Sequence, residues 1–123
     1  MSDERLLQLA QQLEWLGCEA GFYGAKAGGS AAETFLERQR EVLATAEKIE
    51  RELKGAVRFN LSTLVGVDYG PLEETFDSIT DLLAAVEDIK QSAVFSAQEL
   101  PSKVRRFSRM VESYGSAAIP AGV

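Results

Sequence analysis

A run of carboxylates between positions 68 and 89 is the most concentrated chemical feature of the chain. The segment holds seven aspartates and glutamates and no lysine or arginine. Several of them recur at spacings of three, four or seven residues, which would align them along one side of a helix. The residues of this acidic ridge are Glu73, Glu74, Asp77, Asp81 and Asp88.

The acidic ridge has three possible uses. A run of like charge is most often a solvated helix face. It can also dock a basic protein surface, including the nucleic-acid-binding groove of a partner, which the chain would then occupy as an acidic mimic. A third use, a hard-cation site, is disfavoured because helical di-iron bundles need Glu-x-x-His and the chain has no histidine. We therefore predict no metal site.

A cluster of cations follows the acidic segment. Lys103, Arg105, Arg106 and Arg109 occur with no acid between positions 100 and 111. Within a bundle they would neutralise the acidic helix, and the alternative is a basic docking face of their own. The candidate partner-binding residues are therefore the acidic ridge together with Arg105, Arg106 and Arg109.

Five of the ten glycines fall between positions 17 and 29, close to Lys26. Such a stretch has some ingredients of a phosphate cradle. A P-loop, however, needs a strand before the loop and Lys-Ser or Lys-Thr at the helix start, and Lys26 is followed by Ala27. The favoured interpretation is a packed or flexible connection. The alternative is a small-ligand pocket at this turn, walled by Trp15, Phe22 and Tyr23.

The absence of histidine excludes much of enzyme chemistry. No Ser-His-Asp or Cys-His arrangement and no imidazole metal site can be assembled. The lone Cys18 has no histidine to act as its base and no second cysteine for an intramolecular disulfide. We predict no catalytic residues and no cofactor.

The first two predicted helices have clear apolar periodicity. The first runs from Asp3 to about Leu16, and its stripe is formed by Leu6, Leu9, Leu13 and Leu16. The glycine-rich stretch then either continues it as a closely packed helix or forms a loop, with a break at 27–29. A second helix starts at the capping box of Ser30 and Glu33. Its seven-residue apolar repeat extends through Lys54.

Two positions in the second segment allow more than one interpretation. Gln39 occupies a heptad position that favours an apolar residue. It either reaches solvent, the favoured interpretation, or sets the register through a hydrogen bond across the interface. Residues 55–67 fit both a helical and an alternating pattern. We prefer a helix extension, because a single strand would lack a pairing partner, and a strand paired across a dimer is the alternative.

A third helix is predicted from Leu72 to about Ala97, after which Pro101 marks a break or kink. A short fourth helix follows through Tyr114. Residues 115–123 lack periodicity and charge, so the sequence predicts one domain over 1–114 and a flexible tail over 115–123.

Together these elements predict an all-α antiparallel bundle of about four helices. The net charge of −6 disfavours direct nucleic-acid binding. The longest apolar run, 82–86, is far short of the roughly 20 residues that span a membrane. An acidic start without an apolar leader and a lone cysteine favour the cytoplasm. We expect a non-enzymatic adaptor or inhibitor that binds another protein with a basic surface and self-associates as a homodimer.

Overall fold

The part of the chain that the structure describes forms four α-helices. The computed structural model describes residues 3–26, 28–62 and 69–118, with side chains described for 4–26, 28–55 and 78–114. The elements are α1 (Asp3–Gly24), α2 (Gly29–Ser62), α3 (Tyr69–Phe95), a 3₁₀ turn (Ala97–Glu99) and α4 (Leu100–Ala118). The described residues contain no strand, which confirms the predicted all-α bundle of about four helices.

Neighbouring helices run antiparallel, as the ion pairs between them show. Arg5 near the start of α1 binds Glu52 towards the end of α2, with Nε 2.8 Å from Oε1. Lys103 near the start of α4 lies 3.0 Å from the Asp88 carboxylate towards the end of α3. α2 also packs on α3 and α1 on α4, so the order around the bundle is α1, α2, α3, α4.

The predicted apolar stripes meet in one core. The α1 stripe is buried in full, and α4 contributes Leu100, Val104, Phe107 and Val111. The largest side chain that is fully buried is Phe107. The buried residues of α2 and α3 are Val42, Thr45, Ala46, Ile49, Leu53, Ile79, Leu82, Val86, Ile89, Ser92 and Ala93.

The glycine-rich stretch continues α1 as far as Gly24, which matches the close-packing alternative. A Cβ on Gly17 would lie 2.5 Å from a methyl carbon of Val104, and one on Gly21 would lie 2.6 Å from the Pro101 ring. These glycines therefore allow α4 to approach the backbone of α1. Gly28 and Gly29 have positive φ values of 79° and 63°, which places the chain reversal where the sequence predicted a break.

α2 begins at Gly29, one residue before the predicted N-cap Ser30, and continues to Ser62. The helical alternative for the 55–67 segment is therefore confirmed through residue 62, and residues 63–67 lie outside the described part. Gln39 does not follow the favoured interpretation. It is half-buried, and its Nε2 donates a 2.7 Å hydrogen bond to the Ala93 carbonyl of α3.

α3 ends at Phe95, and Ser96 with the 3₁₀ turn connects it to α4. Pro101 lies in the first turn of α4, where a missing backbone N–H is tolerated, so the predicted break is confirmed. α4 extends through Ala118 and so includes four residues of the segment predicted as a tail. Residues 119–123 lie outside the described part.

Candidate functional site

A groove of about 430 Å³ runs between α3 and α4 on the outside of the bundle. Ala84, Ala85 and Met110 form an apolar floor, and the buried Phe107 lies beneath them. The complete lining of this α3–α4 groove is Asp81, Ala84, Ala85, Asp88, Lys103, Arg106, Phe107 and Met110. The groove therefore combines an apolar floor with charged rims, the composition of a surface that binds protein.

The rims of the groove carry opposite charges. Asp81 and Asp88 lie on the α3 rim, and Lys103 and Arg106 lie on the α4 rim. A second groove of about 250 Å³ continues the first towards the start of α3 and the end of α4. It shares Asp81 with the first groove. The charges that the sequence separates into two helices are thus neighbours in space.

Lys103 neutralises one end of the α3 rim. Its Nζ lies 3.0 Å from Asp88 Oδ1 and 3.4 Å from Glu99 Oε2, and it donates a 2.6 Å hydrogen bond to Ser92 Oγ. The hydrogen bond to Asp88 is the main cause that raises the pKa of Lys103 above its usual 10.5. This network holds α3 against α4, so the predicted neutralisation within the bundle is correct for Asp88.

Not every charge of the two helices has such a partner. Asp81, Arg106 and Arg109 are exposed, and none of them has an ion-pair partner among the side chains that the structure describes. Neutralisation within the bundle is therefore incomplete. Among the described side chains, Asp81 and Arg106 thus lie unpaired at the rims of the groove, and Arg109 is unpaired outside its lining. Arg105 and Glu112 of α4 are exposed and have no described ion pair either.

The other predicted partner-binding residues divide into two groups. Glu73, Glu74 and Asp77 lie within α3, but their side chains are outside the described part. Arg105 is exposed on α4, and it does not line the α3–α4 groove. The structure therefore brings together Asp81, Asp88 and Arg106 from the predicted set, with Lys103 added between them.

The glycines of the stretch that belong to α1 are in packing contacts, whereas a Cβ on Gly28 or Gly29 would meet no atom within 4 Å. Besides the contacts of Gly17 and Gly21 with α4, a Cβ on Gly24 would lie 3.1 Å from the Phe35 ring. The Lys26 ammonium lies 4.3 Å from the centre of the Phe22 ring. Helix packing and a cation–π contact thus account for these residues without a bound anion.

Five large apolar side chains are exposed among those that the structure describes, and one of them shares the outer side of α3 with Asp81 and Asp88. Phe95 is 85% exposed, and it follows Asp81 and Asp88 at intervals of seven residues, so the three share one side of α3. The sequence analysis did not select Phe95, although its seven-residue spacing from Asp88 follows directly from the predicted helix. The other exposed apolar residues are Trp15, Phe22, Leu36 and Val94.

Trp15 and Phe22 are seven residues apart on the outer side of α1. The Arg38 guanidinium of α2 lies 5.3 Å from the centre of the Trp15 ring. Arg38 Nε is buried 3.8 Å from a carboxylate oxygen of Glu19. Trp15 is therefore part of a contact between α1 and α2.

The described residues show neither a metal site nor a membrane-spanning helix. They contain no group of three metal-ligating side chains close enough to hold an ion. Among the described helices, none has a stretch of 18 residues apolar enough to cross a membrane. Comparison with protein-family models, with curated proteins and with solved structures finds no match to the chain.

Proposed function

We propose that the chain is a small non-enzymatic protein-binding module, an adaptor or inhibitor, whose contact surface is the outer face of α3 and α4. The observation that carries this proposal is the α3–α4 groove. Its apolar floor of alanine and methionine side chains lies between rims where Asp81 and Arg106 lack a described partner. Arginine, methionine and aromatic residues are the types enriched where proteins meet.

The mixed charge of this face also defines the chemistry of its partner. A partner surface must present a cation to Asp81 and a carboxylate to Arg106 or Arg109. A purely acidic mimic of nucleic acid fits less well, because the two arginines would face the basic groove that such a mimic occupies. The lone Cys18 agrees with a protein that works in the reducing cytoplasm.

Site-specific crosslinking in living cells tests the proposal. A photoreactive p-benzoylphenylalanine replaces the exposed Ala84 at the groove, and a matched probe replaces the exposed Glu37 of α2. We expect a covalent adduct with a protein from position 84, and we expect Asp81→Lys to abolish it. An adduct with the same chain and an adduct with another protein both support a protein-binding face.

Two outcomes would overturn the proposal. One is the absence of any adduct from position 84. The other is a set of identical adducts from positions 84 and 37 that Asp81→Lys leaves unchanged, because contact with protein would then not depend on the α3–α4 groove.

A further inference from the structure

We infer that a second copy of this chain occupies the α3–α4 face, with α3 of each copy packed against α4 of the other around a two-fold axis parallel to the helices. This inference rests on the proposed function, since it names the protein that the face binds. Its support is the pattern of unpaired charge on the two helices.

The described charges of the face are self-complementary. α3 contributes the free carboxylate of Asp81, and α4 contributes the free guanidinium groups of Arg106 and Arg109. In a two-fold interface every contact occurs twice. If a residue of the first copy contacts a given residue of the second, the same two residues also meet with the copies exchanged. One Asp81–Arg109 contact therefore implies a second one, so Asp81 and Arg109 of both copies find partners at once.

The charges also select the direction of the axis. Two copies can bring their outer faces together with α3 on α3, which would place the α3 rim, with Asp81 and Asp88, against the same rim of the second copy and raise the energy by like-charge repulsion. With the axis parallel to the helices, α3 instead meets the α4 of the second copy at the same height. Asp81 is level with Met110 within one chain, because both line the two grooves, so it would meet the adjacent Arg109 across the axis.

Apolar surface on the same face adds to this match. Met110 is partly exposed at the groove floor, and Phe95 stands 85% exposed at the end of the stripe that contains Asp81 and Asp88. An exposed aromatic ring beside a half-open apolar groove is the kind of surface that association removes from water.

The face is large enough for a reversible dimer. The 19 residues of α4 make a helix about 28 Å long, and two adjacent helices are about 20 Å wide. Burial of such a face on both copies removes about 1,100 Å² from water in total, close to the lower end for specific interfaces. The expected complex is therefore a concentration-dependent dimer.

Sedimentation equilibrium of the purified full chain tests the inference. We expect a mass that approaches twice the 13.4 kDa of one chain as concentration rises. Asp81→Lys and Arg109→Glu should each raise the dimer dissociation constant at least tenfold. An equimolar mixture of these two variants, and the double variant Asp81→Lys/Arg109→Glu alone, should each restore association, because lysine then faces glutamate.

Matched controls separate this effect from misfolding and from net charge. Glu37→Lys/Arg40→Glu makes the same exchange on exposed residues of α2 and should leave the dimer unchanged. Phe95→Ser changes no charge and should weaken the dimer, while circular dichroism shows that the helices remain. The proposed orientation is overturned if the double variant Asp81→Lys/Arg109→Glu associates no more tightly than the single variants do.

The outcomes distinguish this inference from the proposed function. A chain that stays monomeric at every concentration, yet forms an adduct with a different protein from position 84, overturns the dimer and leaves the protein-binding face in place. A dimer that tolerates Asp81→Lys, Arg109→Glu and Phe95→Ser overturns the inference as well, because the contact then lies elsewhere.

Discussion

The side-chain amide of Gln39 donates a 2.7 Å hydrogen bond to the main-chain carbonyl of Ala93, so a residue of α2 caps the end of α3. α3 ends at Phe95, and the last four carbonyls of a helix lack partners within it. The neighbouring Ser92 carbonyl accepts from the Ser96 N–H at 2.8 Å. The hydrogen bond of Gln39 thereby fixes the register between α2 and α3 along their axes.

Replacement of Gln39 by leucine should lower the free energy of unfolding by about 1–2 kcal/mol, because the Ala93 carbonyl loses its partner. Leucine suits the heptad position, so any loss reflects the hydrogen bond and not the apolar pattern. Urea denaturation measures the difference. The control Gln91→Leu, at an exposed position of α3, should change stability by less than about 0.5 kcal/mol. Equal effects of the two substitutions would contradict the capping role.

Sequence patterns predicted the elements of this fold because their information is local. The leucine stripe of α1 and the seven-residue repeat of α2 depend on spacing within one helix. The α1 stripe is buried as predicted, and Val42 and Ile49 of the α2 repeat are buried as well. The role of Gln39 depends on the end of a helix 54 residues away, which no local period contains. The same holds for Gly17, whose neighbour Val104 lies on α4.

Two glycines that look alike in the sequence should respond in opposite ways to alanine. At Gly17 the new Cβ would lie 2.5 Å from Val104 Cγ1, so α1 and α4 must separate, and Gly17→Ala should destabilise by about 1–3 kcal/mol. At Gly55 no atom lies within 4 Å, and Gly55→Ala should stabilise by about 0.5–1 kcal/mol through helix propensity. Thermal unfolding followed by circular dichroism compares them. Stabilisation by both would show that α1 and α4 are not in close contact at Gly17.

The candidate site was predictable to a different degree. The acidic and basic segments were visible as composition, but their pairing required the antiparallel placement of α3 and α4. That placement neutralises Asp88 through Lys103 at 3.0 Å and leaves Asp81 without a described partner. Phe95 has the period of the same stripe, and only its 85% exposure shows that the bundle leaves it uncovered.

The stability of the bundle should fall in acid partly through Glu50. Its carboxylate accepts hydrogen bonds from Lys54 at 3.1 Å and Lys90 at 3.2 Å, and these bonds lower the pKa of Glu50 below the usual 4.5. Because the folded pKa is lower than the unfolded one, this contribution is complete above pH 4.5 and disappears as the pH falls through the lowered value. The hydrogen bond from Lys90 to Glu50 raises the pKa of Lys90 above 10.5, so that contribution is lost only as the pH rises beyond 10.5.

Glu50→Gln should therefore lower the free energy of unfolding by up to about 1 kcal/mol at neutral pH and by less in acid. Urea titrations above and below pH 4.5 measure the difference between variant and parent. Glu37→Gln, at an exposed position without a described ion pair, should leave the free energy of unfolding unchanged at both pH values. A difference between Glu50→Gln and the parent that persists unchanged in acid would rule out ionisation as its source.

The contact between Trp15 and Arg38 should appear as a coupling energy between α1 and α2. The guanidinium carbon of Arg38 lies 5.3 Å from the ring centre, and the indole is 56% exposed, so a double-mutant cycle with alanine should give about 0.5–1 kcal/mol. Unfolding must be followed by circular dichroism, since Trp15 is the single tryptophan of the chain. A parallel cycle of Trp15 with the exposed Arg40 should give a value near zero. Equal coupling energies from the two cycles would show that Arg38 acts only through its charge and that its contact with the Trp15 ring adds no stability.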